Sequence, residues 1–251
     1  MLRTRSFFFI SLLAAVLFQG CKESHSVMPE NELVSKRLSK IVQDEQNYSA
    51  FYYEDNRLIK YEQIINSEIS TSIEFEYGDD GKLQHELHYN YGTPILKKFI
   101  YDSNGRLDKQ DLYIGSDSTP YGYLKFIYDD QNRLIKKEQY LTQDSLFYYI
   151  EYDYDNADNV VEIREFYSNK LTSRHIMQYD DKINPWHNFK DILYEPATQS
   201  KNNIINKVTT SEGSSNGIGF TYTYDPDGFP LTETIFTGDG KHSLSMTYQY
   251  E

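Results

Sequence analysis

The chain has 251 residues, with 25 Lys and Arg against 38 Asp and Glu, a net charge of −13. An acidic surface of that size repels nucleic acid and anionic headgroups, which argues against both as electrostatic partners. A single cysteine excludes an internal disulfide, so the core must hold without one.

The chain opens with Arg3 and Arg5, no acid, and an apolar run from Phe7 to Phe18. About a dozen apolar residues make a signal-peptide core and fall short of the ~20 that span a bilayer. The run ends in LFQGC, a small residue directly before the lone Cys21. This resembles the lipobox of bacterial lipoproteins, in the looser form of Bacteroidetes-type bacteria, with Phe18 and Gln19 where the strict motif has aliphatic and small residues. The resemblance implies a leader over 1–20, a lipid on Cys21, and an outer-membrane lipoprotein facing the periplasm or the cell exterior. Loss of a leader holding two of the 25 basic residues and no acid moves the net charge from −13 to −15. Residues 21–33 are polar without periodicity and read as a flexible tether, spanning roughly 20 Å by random-coil scaling. Attachment then rests on the lipid, since no basic patch is available.

From residue 34 to 251 one unit recurs: an aromatic-x-Tyr strand end, an acidic turn, then Arg-Leu-x-Lys. It reads FYYEDNRLIK from Phe51, FEYGDDGKLQH from Phe75, FIYDSNGRLDK from Phe99 and FIYDDQNRLIK from Phe126, with weaker copies from Tyr152 and Tyr222. KRLSKIV from Lys36 is the second half of a unit without its first. Key tyrosines at 53, 77, 101, 128, 154 and 179 recur every 24 to 27 residues. Apolar residues alternate with polar ones, as at Phe99 and Tyr101, so each unit is predicted to be a β-hairpin. Its turn needs a left-handed residue, a conformation costing most residues ~1–2 kcal/mol and Gly, Asn or Asp much less. That position holds Asn56, Gly81, Gly105, Asn132, Asp158 and Gly228.

The YDxxGRLxK unit is similar to YD or RHS-type repeats, and closely to short Bacteroidetes lipoproteins of unknown function built from them. The late stretches YDDKINPWHNF and YTYDPDGFP carry the same likeness. It implies an all-β, antiparallel meander of repeated hairpins in one long, strongly twisted or rolled sheet. A count of about 14–16 strands favours rolling, because open sheets rarely exceed ~10 strands without curling. It implies no activity, and the cargo-enclosing role of large RHS proteins does not carry over to so few hairpins.

The repeat breaks over about 180–219. Pro185 and Pro196 bar central-strand pairing, Trp186 is the only tryptophan, and alternation is lost through INPWHNFKDILYEPATQSKNN, after which NIINKVTT resumes strand character and SEGSSNG reads as a loop. Two readings stand for Trp186, His187, Phe189 and Tyr194: a ligand-binding edge with rings for stacking, or a plug that buries its aromatics in the sheet. Elsewhere the chemistry is thin. HELH at 85–88 lacks zinc-helix spacing, and DYDNAD and DPDG lack a closing bidentate Glu for calcium. No GxSxG, phosphate loop or dinucleotide fingerprint occurs. The expectation is a non-enzymatic, cofactor-free and metal-free module at the cell envelope that binds or scaffolds a glycan, an envelope polymer or an envelope protein. The alternative is an envelope hydrolase acting on glycan or peptide near the insertion.

Overall fold

The computed structural model describes residues 36–251 apart from 91–92, 116–118, 142–143, 190–191, 193, 239 and 241–242. The leader, Cys21 and the tether lie outside the described residues. Sixteen strands follow in chain order. The first eight are β1 (Leu38–Val42), β2 (Tyr48–Glu54), β3 (Arg57–Ile65), β4 (Glu68–Tyr77), β5 (Leu83–Asn90), β6 (Ile95–Tyr101), β7 (Leu107–Ile114) and β8 (Gly122–Tyr128). The rest are β9 (Leu134–Leu141), β10 (Ser145–Tyr154), β11 (Val160–Tyr167), β12 (Lys170–Tyr179), β13 (Ile204–Ser211), β14 (Ser214–Tyr224), β15 (Pro230–Thr237) and β16 (Ser243–Tyr250).

All pairings are antiparallel between sequence neighbours, and β1 pairs with β16 as well as with β2. The meander is therefore a closed barrel, which corrects the expectation of one long, strongly twisted or rolled sheet: the roll is complete and its ends pair. β1, in the half-unit KRLSKIV, pairs antiparallel with β16 as the second strand of other units pairs with the first. Leu38 sits opposite Tyr250, and Arg37 and Glu251 exchange backbone bonds of 3.0 and 2.9 Å. Closure leaves β1 and β16 paired on both sides, the one full remedy for exposed strand edges.

Each letter of the repeat has a task at one end of this barrel. In the turn after β6, Asp102 Oδ1 accepts the backbone N–H groups of Asn104 and Arg106, both at 2.9 Å. Gly105 takes φ +81°, the left-handed residue of a type I turn with a bulge. Asn56, Gly81, Asn132, Asp158 and Gly228 also have positive φ, between 62° and 88° when Gly105 is included. Arg106 bonds back to Asp102 at 2.9 Å and lies 5.2 Å over the ring of Tyr128 in the next unit. Leu107 is 1 % exposed, and its carbonyl accepts the Tyr128 hydroxyl at 2.9 Å. The same stitch joins Tyr53 to Leu38, Tyr77 to Leu58, Tyr101 to Leu83, Tyr154 to Leu134, Tyr179 to Val160 and Tyr250 to Pro230. A hydroxyl is required for it, which is why the repeat specifies Tyr where Phe would fill the space as well. Each such bond stabilises by about 1 kcal/mol.

The interior is apolar at this turn end. Phe51, Phe75, Phe99 and Phe126 point inward above the ring of buried leucines. At the opposite lip, two-residue turns such as Asn66–Ser67 and Ser168–Asn169, with positive φ at both positions, join the strands. Within the break at about 180–219, the strand expected from NIINKVTT is β13. The SEGSSNG stretch, expected to be a loop, instead holds the tight turn of Glu212 and Gly213, at φ 49° and 80°, and the start of β14.

Candidate binding site at the insertion

The insertion enters the barrel from its turn end. Asn184 starts it: its side-chain N–H group donates to the Thr198 and Ser200 carbonyls at 2.7 Å, and its Oδ1 accepts the Trp186 N–H at 3.0 Å. A 3₁₀ turn, Pro185–Phe189, follows. Gln199, 6 % exposed, donates to the Phe189 carbonyl at 2.5 Å and accepts the Glu195 N–H at 3.1 Å. These buried polar groups are paired, so the segment is held in one geometry rather than left free.

Its seat is a repeat that departs from the pattern. Asn159 stands where Arg57, Lys82, Arg106 and Arg133 stand in the earlier units, as Phe229 does in the last. Its Nδ2–H donates to Asn202 Oδ1 at 3.1 Å and its Oδ1 accepts the Asn202 backbone N–H at 3.0 Å. Ser200 accepts the Val160 N–H at 3.0 Å and donates to the Tyr179 hydroxyl at 3.1 Å. The Tyr179 hydroxyl itself donates to the Val160 carbonyl, and burial pushes its pKa up to about 12, so it stays a donor.

The four residues singled out in the sequence divide into two pairs. Trp186 and Phe189 pack inward on Phe51, at ring distances of 5.5 and 5.6 Å. Tyr194 reaches across to Phe99 and Phe126 at 6.0 and 5.6 Å. It also lines, with His187, a cavity of about 530 Å³ at the turn end, closed on its other side by Tyr128, Tyr154, Arg133 and Lys201. That volume falls within the ~300–1,000 Å³ of small-ligand sites. Tyr194 has φ +49°, an unfavourable backbone for a bulky side chain. His187 donates Nδ1–H to the Gln199 carbonyl at 2.8 Å, which leaves Nε2 as its other polar atom.

The lining offers aromatic edges, amide and imidazole groups, and paired cations. Arg106 and Arg133 are each tied to the Asp of their own turn, Asp102 and Asp129. Those Asp carboxyls are held below the usual carboxylate range by backbone and Arg hydrogen bonds, although burial works the other way at Asp129. Burial raises the pKa of Tyr128 and Tyr154 far above neutrality. Those two hydroxyls therefore stay protonated and keep donating to the Leu107 and Leu134 carbonyls. Arg106, Arg133, Gln199 and Lys201 were not singled out in the sequence as site residues. The cation of four repeats was the available signal, since Arg57, Lys82, Arg106 and Arg133 recur directly after their turns.

The outer wall offers less than its composition suggests. Tyr123 lies between Lys109 at 4.4 Å and Tyr140 at 4.7 Å, and Tyr149 between Lys136 at 4.2 Å and Phe166 at 4.5 Å. Both faces of each ring are taken, so these tyrosines form a self-satisfied ladder. Ion pairs cover the same wall: Lys60–Glu62 at 2.7 Å, Lys109–Asp111 at 2.7 Å, Lys136–Glu138 at 2.8 Å and Arg174–Glu162 at 2.8 Å.

No family model matches the chain, and no curated protein matches it. Among solved structures, a porin-like protein from Bacteroides uniformis ATCC 8492 shares the fold with a TM-score of 0.55 at 15 % identity, over 85 % of this chain and 98 % of that one. A porin-like protein from Bacteroides vulgatus ATCC 8482 aligns with a TM-score of 0.45 at 14 % identity, over 86 % and 99 % of the two chains. The TcdB2-TccC3 protein aligns with a TM-score of 0.35 at 14 % identity, over 80 % of this chain and 10 % of its own. At such identities the likeness is one of fold alone.

Proposed function

We propose that the chain is a lipid-anchored cell-envelope module that binds a glycan or another envelope polymer without transforming it, and that the cavity between His187, Tyr194 and the tyrosine ring is its binding site. The observation that carries this reading is a rigidly stapled insertion that leaves a ligand-sized opening beside a strained Tyr194. Attachment runs through lipidated Cys21, which the sequence motif supports. The barrel itself stands in water. A charge on a lipid-facing strand costs ~2–4 kcal/mol near the bilayer midplane, and the wall carries ion pairs on strand after strand. The porin-like neighbour from Bacteroides uniformis shares the barrel architecture alone, and the outer-membrane setting of this reading is supported by the lipobox-like LFQGC.

A glycan array probed with the full-length chain tests the reading. Binding of a short glycan that drops at least tenfold in Tyr194→Ala and in Lys201→Ala supports it, and binding indifferent to both overturns the site. Mass spectrometry of the mature N-terminus tests the anchor, because a free, unacylated Cys21 removes it.

The hydrolase alternative draws on one contact, His175 Nε2 to Glu165 Oε1 at 3.1 Å on the inner face of β11 and β12. Ser173 Oγ approaches the same nitrogen at 3.3 Å, so nucleophile and carboxylate do not flank the ring as a relay requires. Release of reducing ends or peptides by the purified protein, lost in His175→Ala, would favour it over the binder.

A further inference from the structure

The repeats act as controls for one another, and one arc of the wall fails the comparison. On β4, β6, β8, β10 and β12 the outward positions include a charged residue on every strand, such as Glu74, Lys98, Lys125, Glu151 and Arg174, and no glycine; on β14 they are Ser215, Gly217, Gly219, Thr221 and Thr223. Glycine inside a strand weakens it, and usually marks a bulge, a tight neighbour or the close approach of something external. At Gly219 neither internal cause applies; Gly217 has Gly238 close against its backbone, on a side that its own Cβ would not occupy. Both glycines lie in regular pairing, Gly217 opposite Val208 and Gly219 opposite Asn206 and Phe236. A Cβ built on either meets nothing within 4 Å. Phe236, directly across from Gly219, does not cover it, and no other ring lies against Phe236 among the described residues.

Around this bare floor the wall is hydroxylated and uncharged. Two cross-strand rows run Thr223–Thr232–Thr247 and Thr221–Thr234–Ser245 over β14, β15 and β16. Thr223 and Thr232 hydroxyls lie 2.7 Å apart, Thr234 and Ser245 3.0 Å, and Thr210 and Ser215 2.8 Å. The outward residues of β13 to β16 include no Asp, Glu, Lys or Arg, in a chain of net charge −13. Four strands about 4.8 Å apart and about 26 Å long give a face of roughly 500 Å². That is smaller than the ~800 Å² per side of a stable protein pair.

We infer that the outer face of β13 to β16 is a second binding surface, distinct from the cavity, which receives a neutral polysaccharide chain lying across Gly217 and Gly219 with Phe236 stacked on a sugar ring. The chemistry matches on each count. Absence of charge suits a neutral polymer, the hydroxyl rows exchange hydrogen bonds with sugar hydroxyls, and the missing side chains bring the sugar close to the backbone. The inference does not rest on the cavity reading.

Affinity electrophoresis of the full-length chain in detergent tests it, in gels holding dextran, mannan, xylan or the acidic polygalacturonate. Retardation is expected in at least one neutral gel and not in polygalacturonate. Gly219→Thr should weaken retardation at least tenfold while raising Tm by a few degrees, since Thr suits a strand and has open space there. Phe236→Ala should weaken it without that gain, and Tyr194→Ala should leave it unchanged. Retardation lost in Tyr194→Ala alone assigns the polymer to the cavity and overturns this surface. No neutral retardation, or concentration-dependent dimerisation abolished by Gly219→Lys, overturns it as well. A short-glycan array hit lost in Gly219→Thr but kept in Tyr194→Ala overturns the cavity reading and supports this one.

Discussion

The two ends of the barrel are made of the same repeats but held in different ways. At the turn end, Leu38, Leu58, Leu83, Leu107 and Val160 are at most 3 % exposed, and tyrosine hydroxyls stitch each unit to the one before. At the lip, Ile69 is 56 % exposed and Ile114 42 %, and the side-chain bonds are scattered ones, such as Ser70 to the Gln63 carbonyl and Ser211 to the Thr172 carbonyl, without a repeated tyrosine stitch among the described residues. The difference shows that cooperativity is concentrated at one rim. A repeat whose turn end is satisfied can vary its lip freely, and the insertion sits where the stitched rim changes its chemistry, at Asn159.

The largest test of this contrast compares two apolar truncations on one strand. Leu107→Ala should cost about 2–5 kcal/mol in urea unfolding, and Ile114→Ala, seven residues along β7, well under ~1 kcal/mol. Equal costs would mean that the lip is as structural as the rim. Next comes Tyr128→Phe, which removes only the oxygen that bonds the Leu107 carbonyl. Leaving that carbonyl unpaired should cost about 1–3 kcal/mol. Tyr167→Phe, at the lip and 48 % exposed, should be close to neutral in the same assay.

Much of this rim was legible in the sequence. The 24-to-27-residue spacing and the Gly/Asn/Asp position led to hairpins and to the all-β class. Closure was not legible: a count of hairpins suggested a rolled sheet, but the pairing of β1 with β16 leaves no mark in periodicity or composition. The partners of Tyr53 or Tyr250 were not legible, because a hydroxyl bonding a carbonyl 15 or 20 residues back leaves no pattern in composition. The insertion was located by its prolines, whereas its inner geometry depends on Asn184, Gln199 and Asn202. Amides of that kind look the same in the sequence whether they face solvent or a buried carbonyl. Trp186 and Tyr194 show the same limit, since an aromatic ring on an irregular stretch packs equally well inward or against a ligand.

A smaller effect comes from the turn residue. Gly105→Ala at φ +81° should cost about 1 kcal/mol, and its added Cβ meets only the mobile tip of Lys82. Asn132→Gly in the neighbouring unit should stay within about 0.5 kcal/mol, because both residues accept that conformation. A large loss at Asn132 would show that its contact with Arg106, at 3.2 Å, matters more than its backbone.

The smallest shifts are in pH dependence, where the rim and the layer above it have opposite signs. Asp102, Asp129 and Asp225 have folded pKa values below the ordinary 3.8, through hydrogen bonds from their own turns and from Arg106, Arg133 and Lys36. As pH falls through 3.8 the unfolded chain takes up protons first, so their stabilisation is present at neutral pH and is lost on passing below the folded values. Glu233 lies inside the barrel and accepts from Tyr248 at 2.6 Å and Tyr222 at 3.2 Å. Burial outweighs those bonds and raises its pKa above the ordinary 4.5. Here the unfolded chain loses its proton first as pH rises through 4.5, so Glu233 lowers stability at neutral pH by an amount that fades below that window. Glu233→Gln should therefore raise Tm at pH 7 and leave it nearly unchanged at pH 4, while Asp129→Asn should lower Tm at pH 7 and converge on wild type near pH 3. Thermal melts of both variants across pH 3 to 7 check the pair. If Glu233→Gln destabilises at pH 7, the two tyrosine hydroxyls hold the carboxylate better than burial disfavours it, and the interior layer belongs with the rim rather than against it.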